Sequence, residues 1–290
     1  MDDRRPAGGA PGHGLLRDRV ALVTGGGRNL GRAIALRLAA EGAAVVVNDV
    51  RAEDAERTAR DAGERAIPAV ADLSDPAAVE EVFARAEREF GVVDALVNNA
   101  YVRGPATAWG PFLALEHHGW SSFTRANLDL LFLGTHRAAT ALAAAGRGGT
   151  VVNISSHGAA RAHRNQIAYD AVKGAVESFT RATAVDLAPW GIRVNALRPG
   201  SIDVAAGTAG SDTTDPELAA LKAGQIPFGR TGTPEDVAGN VVALSSELTS
   251  YVTGQVYNVD GGMAAQARAP QVEIDRVWTP ETIGGYRDDG

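Results

Sequence analysis

The sequence predicts an α/β fold, a doubly wound parallel sheet of about seven strands in a single domain. Three observations carry that expectation. Between residues 18 and 263, short β-branched apolar runs alternate with amphipathic helical stretches, the pattern of parallel strands joined by right-handed helical crossovers. The first strand runs straight into a glycine cluster and then a helix, which suits a phosphate-binding turn. No linker or internal repeat divides the body.

The strands expected in order are Val20–Thr24, Ala43–Asn48, Ala66–Val70, Ala95–Asn98, Thr150–Ser155, Arg193–Leu197 and Gln255–Val259. Each is a short apolar run of the kind buried on both sheet faces. Helices are expected near 30–41, 52–62, 76–90, 112–145, 167–188 and 234–247. In 167–188, Ala168, Val172, Ala175, Val176, Phe179 and Leu187 fall largely along one stripe, the face such a helix buries. Three regions break the rhythm. Residues 1–17 are Gly/Pro-rich and read as a disordered arm. Residues 203–232, rich in Gly, Thr, Asp and Pro around a short helix at Pro216–Ala223, read as a substrate lid. Residues 264–290 form a C-terminal extension with Val272, Ile274, Trp278 and Tyr286, apolar enough to pack on the body or on a second copy.

Composition narrows the function. The chain has 290 residues, 45% hydrophobic and 22% charged, an ordinary globular mix. A formal net charge of −7 argues against nucleic-acid binding. The absence of Cys excludes disulfides, thiolate metal sites and cysteine nucleophiles. No apolar run approaches a membrane span, and Arg4-Arg5 lacks the apolar stretch of an export signal. A cytoplasmic protein with no membrane partner is expected. Of 28 Lys and Arg residues, only Lys173 and Lys222 are lysine: either a compact ammonium is wanted there, which guanidinium cannot imitate, or the two are leftovers, and composition alone does not decide.

The glycine cluster is Gly25-Gly26-Gly27-Arg28-Asn29-Leu30-Gly31. Glycines let the backbone approach a pyrophosphate while the helix end offers free N–H groups. Asp49 closes the second strand, where a carboxylate binds a ribose 2′-hydroxyl and repels a 2′-phosphate. That favours NAD; Arg28 pulls toward NADP, the alternative. Asp72-Leu73 and Asn98-Asn99-Ala100 end the third and fourth strands, where ligands of open sheets collect. Tyr169 and Lys173 lie one helical turn apart. A nearby ammonium is expected to lower the phenol's pKa. Ser156, just past the fifth strand, is placed to hydrogen-bond a substrate oxygen.

With these motifs together, the sequence resembles the short-chain dehydrogenase/reductase family, of its 3-oxoacyl reductase-like type, over about residues 19–263. The resemblance rests on Thr24-Gly25-(x3)-Asn29-Leu30-Gly31, Asp72-Leu73, Asn98-Asn99-Ala100, Asn127, Ser156, Tyr169-(x3)-Lys173, Asn195-(x3)-Pro199-Gly200 and Val259-Asp260-Gly261-Gly262. It implies a Rossmann fold and a catalytic tetrad. Tyr169 is then the acid or base, Lys173 binds the nicotinamide ribose, Ser156 orients the carbonyl or alcohol, and Asn127 holds a proton-relaying water. It also implies cofactor contacts at Gly25, Gly27, Arg28, Asn29, Leu30, Gly31, Asp49, Asp72, Leu73, Asn99, Tyr169, Lys173, Pro199, Gly200 and Ile202. A homo-oligomer, tetramer or dimer, pairing helices 112–145 and 167–188 follows from the same resemblance.

Three positions depart from the family pattern. Asn29 replaces a glycine, and Asn tolerates positive φ. Tyr101 replaces the glycine after Asn-Asn-Ala and is expected to crowd or reshape the pocket floor. Val204 replaces a Thr that binds the carboxamide, leaving backbone groups such as Ile202. His157 beside Ser156 lacks a hydrolase elbow, and Glu116-His117-His118 has no further ligand at a useful spacing, so no metal is expected. Arg103, His157, Arg161, His163 and Arg164 fit an anionic or polyhydroxylated substrate; Trp109, Phe112 and Phe228 fit an apolar one. The expected activity is hydride transfer between a nicotinamide and a secondary alcohol or ketone. The alternatives are C=C or C=N reduction, epimerisation, and a non-catalytic cofactor sensor.

Overall fold

A computed structural model of the chain describes residues 14–204 and 216–268. Most of the N-terminal arm, the middle of the 203–232 segment and most of the C-terminal extension lie outside the described residues. The elements are β1 (Val20–Val23), α1 (Asn29–Ala40), β2 (Ala44–Asp49), α2 (Ala52–Ala62), β3 (Ala66–Val70), α3 (Pro76–Glu89), β4 (Ala95–Asn98) and α4 (His117–Ala144). They continue with β5 (Gly149–Ile154), α5 (Ile167–Leu187), β6 (Ile192–Pro199), α6 (Pro216–Ala223), α7 (Pro234–Ser245) and β7 (Val256–Val259).

The seven strands are parallel, in the order β3-β2-β1-β4-β5-β6-β7. This is the doubly wound, Rossmann-like sheet expected. Alternate strand residues feed opposite cores. Val23, Val45, Val97 and Val152 join Ile34 and Leu38 of α1 and Val237 and Val241 of α7. Leu22, Val46, Leu96 and Val151 join Phe83 of α3 and Leu142 of α4 on the other face. A strand buried on both sides has no polar face to alternate, which is why these strands read as continuous apolar runs. Chain order reverses between β1 and β4, so their carboxyl ends diverge into a crevice.

Two boundaries differ from expectation. Residues 14–17, given to the arm by composition, form a turn that buries Leu16 fully in the core, with its N–H on the Glu41 carbonyl. Helix α4 starts at His117 rather than 112: Pro111 opens a 3-10 turn at Phe112–Ala114, and Leu115 and Glu116 are extended before the helix begins. Among the described residues no helix is long and apolar enough to cross a membrane.

Candidate active site

The glycine turn follows β1 and opens α1 at the β1/β4 crevice. Asn29 adopts φ +50, the left-handed conformation that its short amide side chain tolerates. Gly31 is required by space: a Cβ there would lie 2.0 Å from the Gly25 carbonyl oxygen. Asp49 is anchored twice, its Oδ2 accepting from the Gly27 N–H and its Oδ1 from the Arg51 N–H, both at 3.1 Å. The carboxylate expected to read the ribose therefore also braces the turn.

A cleft of about 430 Å³ opens here. Its lining includes Gly25, Arg28, Asn29, Leu30, Gly31, Asp49, Asp72, Leu73 and Asn99, nine of the residues expected to contact cofactor. Gly27 stands behind the lining, held to Asp49. Pro199, Gly200 and Ile202 sit at the end of β6, outside this cleft. Gly200 is locked there by its N–H on the Val259 carbonyl, at 3.0 Å. The Ile202 carbonyl, offered above as a substitute for the missing Thr, already accepts the Val204 N–H at 3.0 Å.

Sequence reasoning gave no role to the latch that sets this crevice. Thr24 Oγ1 accepts from the Asn99 and Ala100 N–H groups at 3.0 and 2.9 Å. The Asn99 amide returns bonds to the Thr24 and Gly25 carbonyls, both 3.0 Å. Asn48 likewise clamps β3 through the Ala69 and Ala71 carbonyls. The signal was present as polar residues at three strand ends, where an apolar run stops for a reason.

The second half of the site lies on α5 and the end of β5. Tyr169 and Lys173 share a face of α5, with Lys173 Nζ 5.7 Å from the phenol ring centroid. Nζ is buried and donates to the Ile154 carbonyl, the last of β5, at 2.8 Å. Burial brings the ammonium down to about 8. Burial also raises the Tyr169 phenol above its ordinary value; a hydrogen bond with Ser156 pulls it partly back, and Asp170 adds a smaller upward push. The expected depression of the phenol by Lys173 is therefore corrected. Desolvation penalises the phenolate more than its neighbours favour it, so the folded chain holds a protonated phenol, the form an acid needs. Ser156 is held by the Gly158 N–H on its Oγ, at 3.2 Å. Asn127, expected to hold a water, donates to the Val102 and Phe123 carbonyls at 2.9 Å, and its Oδ1 accepts the Val102 N–H at 3.0 Å. That side chain ties α4 to the loop after β4.

A part-buried ion pair backs these residues and was not read from the sequence. Arg198 on β6 grips Glu177 on α5 through two nitrogens at 2.7 and 2.6 Å. Glu177 Oε1 also accepts from Ser155 Oγ at 2.9 Å. Glu177 stands one turn beyond Lys173, so Tyr169, Lys173 and Glu177 form one polar stripe along an otherwise apolar helix face. Tyr101 lines the cleft and meets Tyr169 edge-on, centroids 5.6 Å apart. Of the apolar candidates, Trp109 reaches Tyr169, at 6.3 Å, whereas Phe112 and Phe228 are largely exposed. Arg161 is turned to the Met263 carbonyl, and His163 to Asp170.

A parallel sheet with a glycine turn at its switch point and a Ser-Tyr-Lys group beside it defines an α/β oxidoreductase of the dinucleotide-binding kind. A family model described as enoyl-(acyl carrier protein) reductase matches residues 25–264. Cis-4-hydroxycyclohexanecarboxylate dehydrogenase of Sinomonas cyclohexanicum is 38% identical over 250 residues, covering 86% of this chain and 97% of the relative. Levodione reductase of Leifsonia aquatica is 38% identical over 259 residues, covering 86% and 95%. Among solved structures, a levodione reductase superposes with a TM-score of 0.77 at 34% identity, covering 86% of this chain and 99% of that one. A putative gluconate dehydrogenase from Agrobacterium tumefaciens gives 0.78 at 33%, covering 87% and 98%. The chain belongs to the short-chain dehydrogenase/reductase family.

Proposed function

We propose that the protein is an NAD(P)-dependent dehydrogenase or ketoreductase of secondary alcohols and ketones, with NAD preferred. The observation that carries the reading is the placement of Ser156, Tyr169 and Lys173 beside a glycine-lined crevice at the sheet's switch point. The crevice fits a dinucleotide: its Gly31 floor has no room for a Cβ, and α1 opens beside it with the first-turn N–H groups that suit a phosphate. When bound, the dinucleotide supplies or accepts the hydride. Gly25 to Gly31, Asp72, Leu73 and Asn99 would hold it, with Asp49 on the ribose side. Pro199, Gly200 and Ile202 would approach from β6.

The chain's own residues do the rest. Ser156 donates to the substrate oxygen and fixes the reacting carbon. Tyr169 gives that oxygen a proton in reduction and removes it in oxidation, a step worth roughly 10²–10⁴-fold. Lys173, anchored on Ile154, offers further N–H groups toward the ribose and the phenol. Asn127 keeps the Val102 loop closed over the site. The relatives named above, a dehydrogenase and a reductase, support an alcohol or ketone substrate. We also propose a homo-oligomer through α4 and α5, supported by the exposed Phe132, Val185 and Trp190 on those elements and their edge.

The test is a panel of secondary alcohols and ketones followed by reduced-nicotinamide absorbance with both cofactors, on wild type and Tyr169→Phe. Turnover by wild type that vanishes in the variant supports the reading. No turnover of any alcohol or ketone by a cofactor-binding wild type overturns it.

A further inference from the structure

Rings surround the Tyr169 phenol. Tyr101 meets it edge-on at 5.6 Å, Trp109 lies tilted at 6.3 Å, and His163 stands edge-on at 6.3 Å. Two of these rings share one support. Phe123 is fully buried and packs edge-on to both Tyr101 at 6.0 Å and Trp109 at 5.6 Å. The Trp109 segment is pinned further by Trp109 Nε1 donating to the Arg103 carbonyl at 2.9 Å and the Gly110 N–H to the Asn165 carbonyl at 3.0 Å. Phe123, Trp109 and Tyr169 make a small core with Ala108, Ala168 and Val172, separate from the two that flank the sheet, and Tyr101 leans on its edge. The face is therefore preorganised, so a ligand stacking on it orders little.

We propose that Tyr101 and Trp109 form a ring-recognition face beside Tyr169, and that the preferred substrate is a cyclic alcohol or ketone. This rests on the reading of the site as an alcohol/ketone oxidoreductase. The polar groups around the phenol explain why a ring wins over a polyol. Trp109 Nε1, the His163 Nδ1 beside Asp170 and the Asn127 amide are each engaged within the protein, and Arg161 turns one nitrogen to the Met263 carbonyl, while Nε2 of His157 is buried with no partner among the described residues. A chain of hydroxyl groups would lose water there and find few partners in return. A saturated or aromatic ring gains contact with two fixed aromatic surfaces and asks for one hydrogen bond, at its reacting oxygen. Tyr101 is the specificity-determining residue of this face, because the family pattern has a glycine at that position and nothing for a ring to lean on.

The experiment compares cyclohexanone with an open-chain methyl ketone of the same carbon count, on wild type, Tyr101→Leu and Tyr101→Phe. Binding of cyclohexanol to each protein is measured in parallel by titration calorimetry with cofactor present. Expected is a wild-type preference for the ring in kcat/KM that falls roughly fivefold in Tyr101→Leu, through KM, and is kept in Tyr101→Phe. Open-chain efficiency should fall by a smaller factor than ring efficiency. Equal wild-type efficiencies on the two ketones, or a Leu variant that loses both equally, overturns the proposal. Cyclohexanol binding that depends on Tyr101 without any turnover supports the ring face and counts against the oxidoreductase reading alone.

Discussion

The two halves of the cleft are built from different material. The crevice at β1 and β4 is main chain: the glycine turn, the Thr24–Asn99 latch and the doubly anchored Asp49 are held by backbone N–H and carbonyl groups. The half above α5 is side chain: Tyr169, Tyr101, Trp109 and Phe123 touch one another ring to ring. A backbone cradle suits a ligand that never changes, since substitutions away from its glycines and from the Thr24, Asn99 and Asp49 side chains that brace it leave it in place. A wall of side chains suits a ligand that differs between relatives, because one residue can redraw it.

The largest break in this contrast is Tyr169→Phe. It removes the hydroxyl proposed to move the proton and should lower kcat on the order of 10³-fold, while titration should show dinucleotide affinity within about twofold of wild type. Next, Gly31→Ala should break the main-chain half alone. The new Cβ meets the Gly25 carbonyl, so dinucleotide Kd should rise roughly tenfold or more. Asp49→Ala sharpens the comparison by removing a side chain that serves the backbone. Beyond a fall in the NAD over NADP efficiency ratio, loss of the Gly27 and Arg51 bonds should lower stability by about 1–3 kcal/mol in chemical denaturation. A variant with a changed ratio and unchanged stability would separate the two roles.

The smallest expected effect is a pH dependence. The Lys173 ammonium sits at about 8 in the folded chain against 10.5 when free. Between those values the unfolded chain binds more protons, so stability rises with pH across that window. Tyr169, raised by burial, opposes this only above its ordinary value of 10.0. The melting temperature of wild type should therefore climb by a few degrees from about pH 8 toward pH 10. Lys173→Met should not climb; an equal rise in both would assign the trend to other groups.

The same division decides what could be read from the sequence. The inner strands were visible because burial on both faces leaves a run of Val, Leu and Ala, and the partly buried edge strands β3 and β7 because of their β-branched and aromatic residues. The turn was legible at Asn29, whose positive φ its residue type allows. So was the Tyr169–Lys173 face, which needs only helical spacing. What stayed hidden depends on pairing across the fold. The Glu177–Arg198 pair joins α5 to β6, and no local pattern announces such a match. Nor did spacing reveal that burial, rather than Lys173, governs the Tyr169 phenol. The start of α4 was misplaced because Phe112 and Leu113, apolar enough to look helical, are left facing solvent in a turn.

Lys173 takes its position from the Ile154 carbonyl, an atom every residue at 154 would supply. The charge that serves the chemistry is thus moored to the sheet, outside the reach of whatever happens in the loop from Tyr101 to Glu116. A library varying only that loop should therefore leave Lys173 where it is, and any change it brings to the pH–rate profile reports the cover that Tyr101 and Trp109 lay over the Tyr169 phenol.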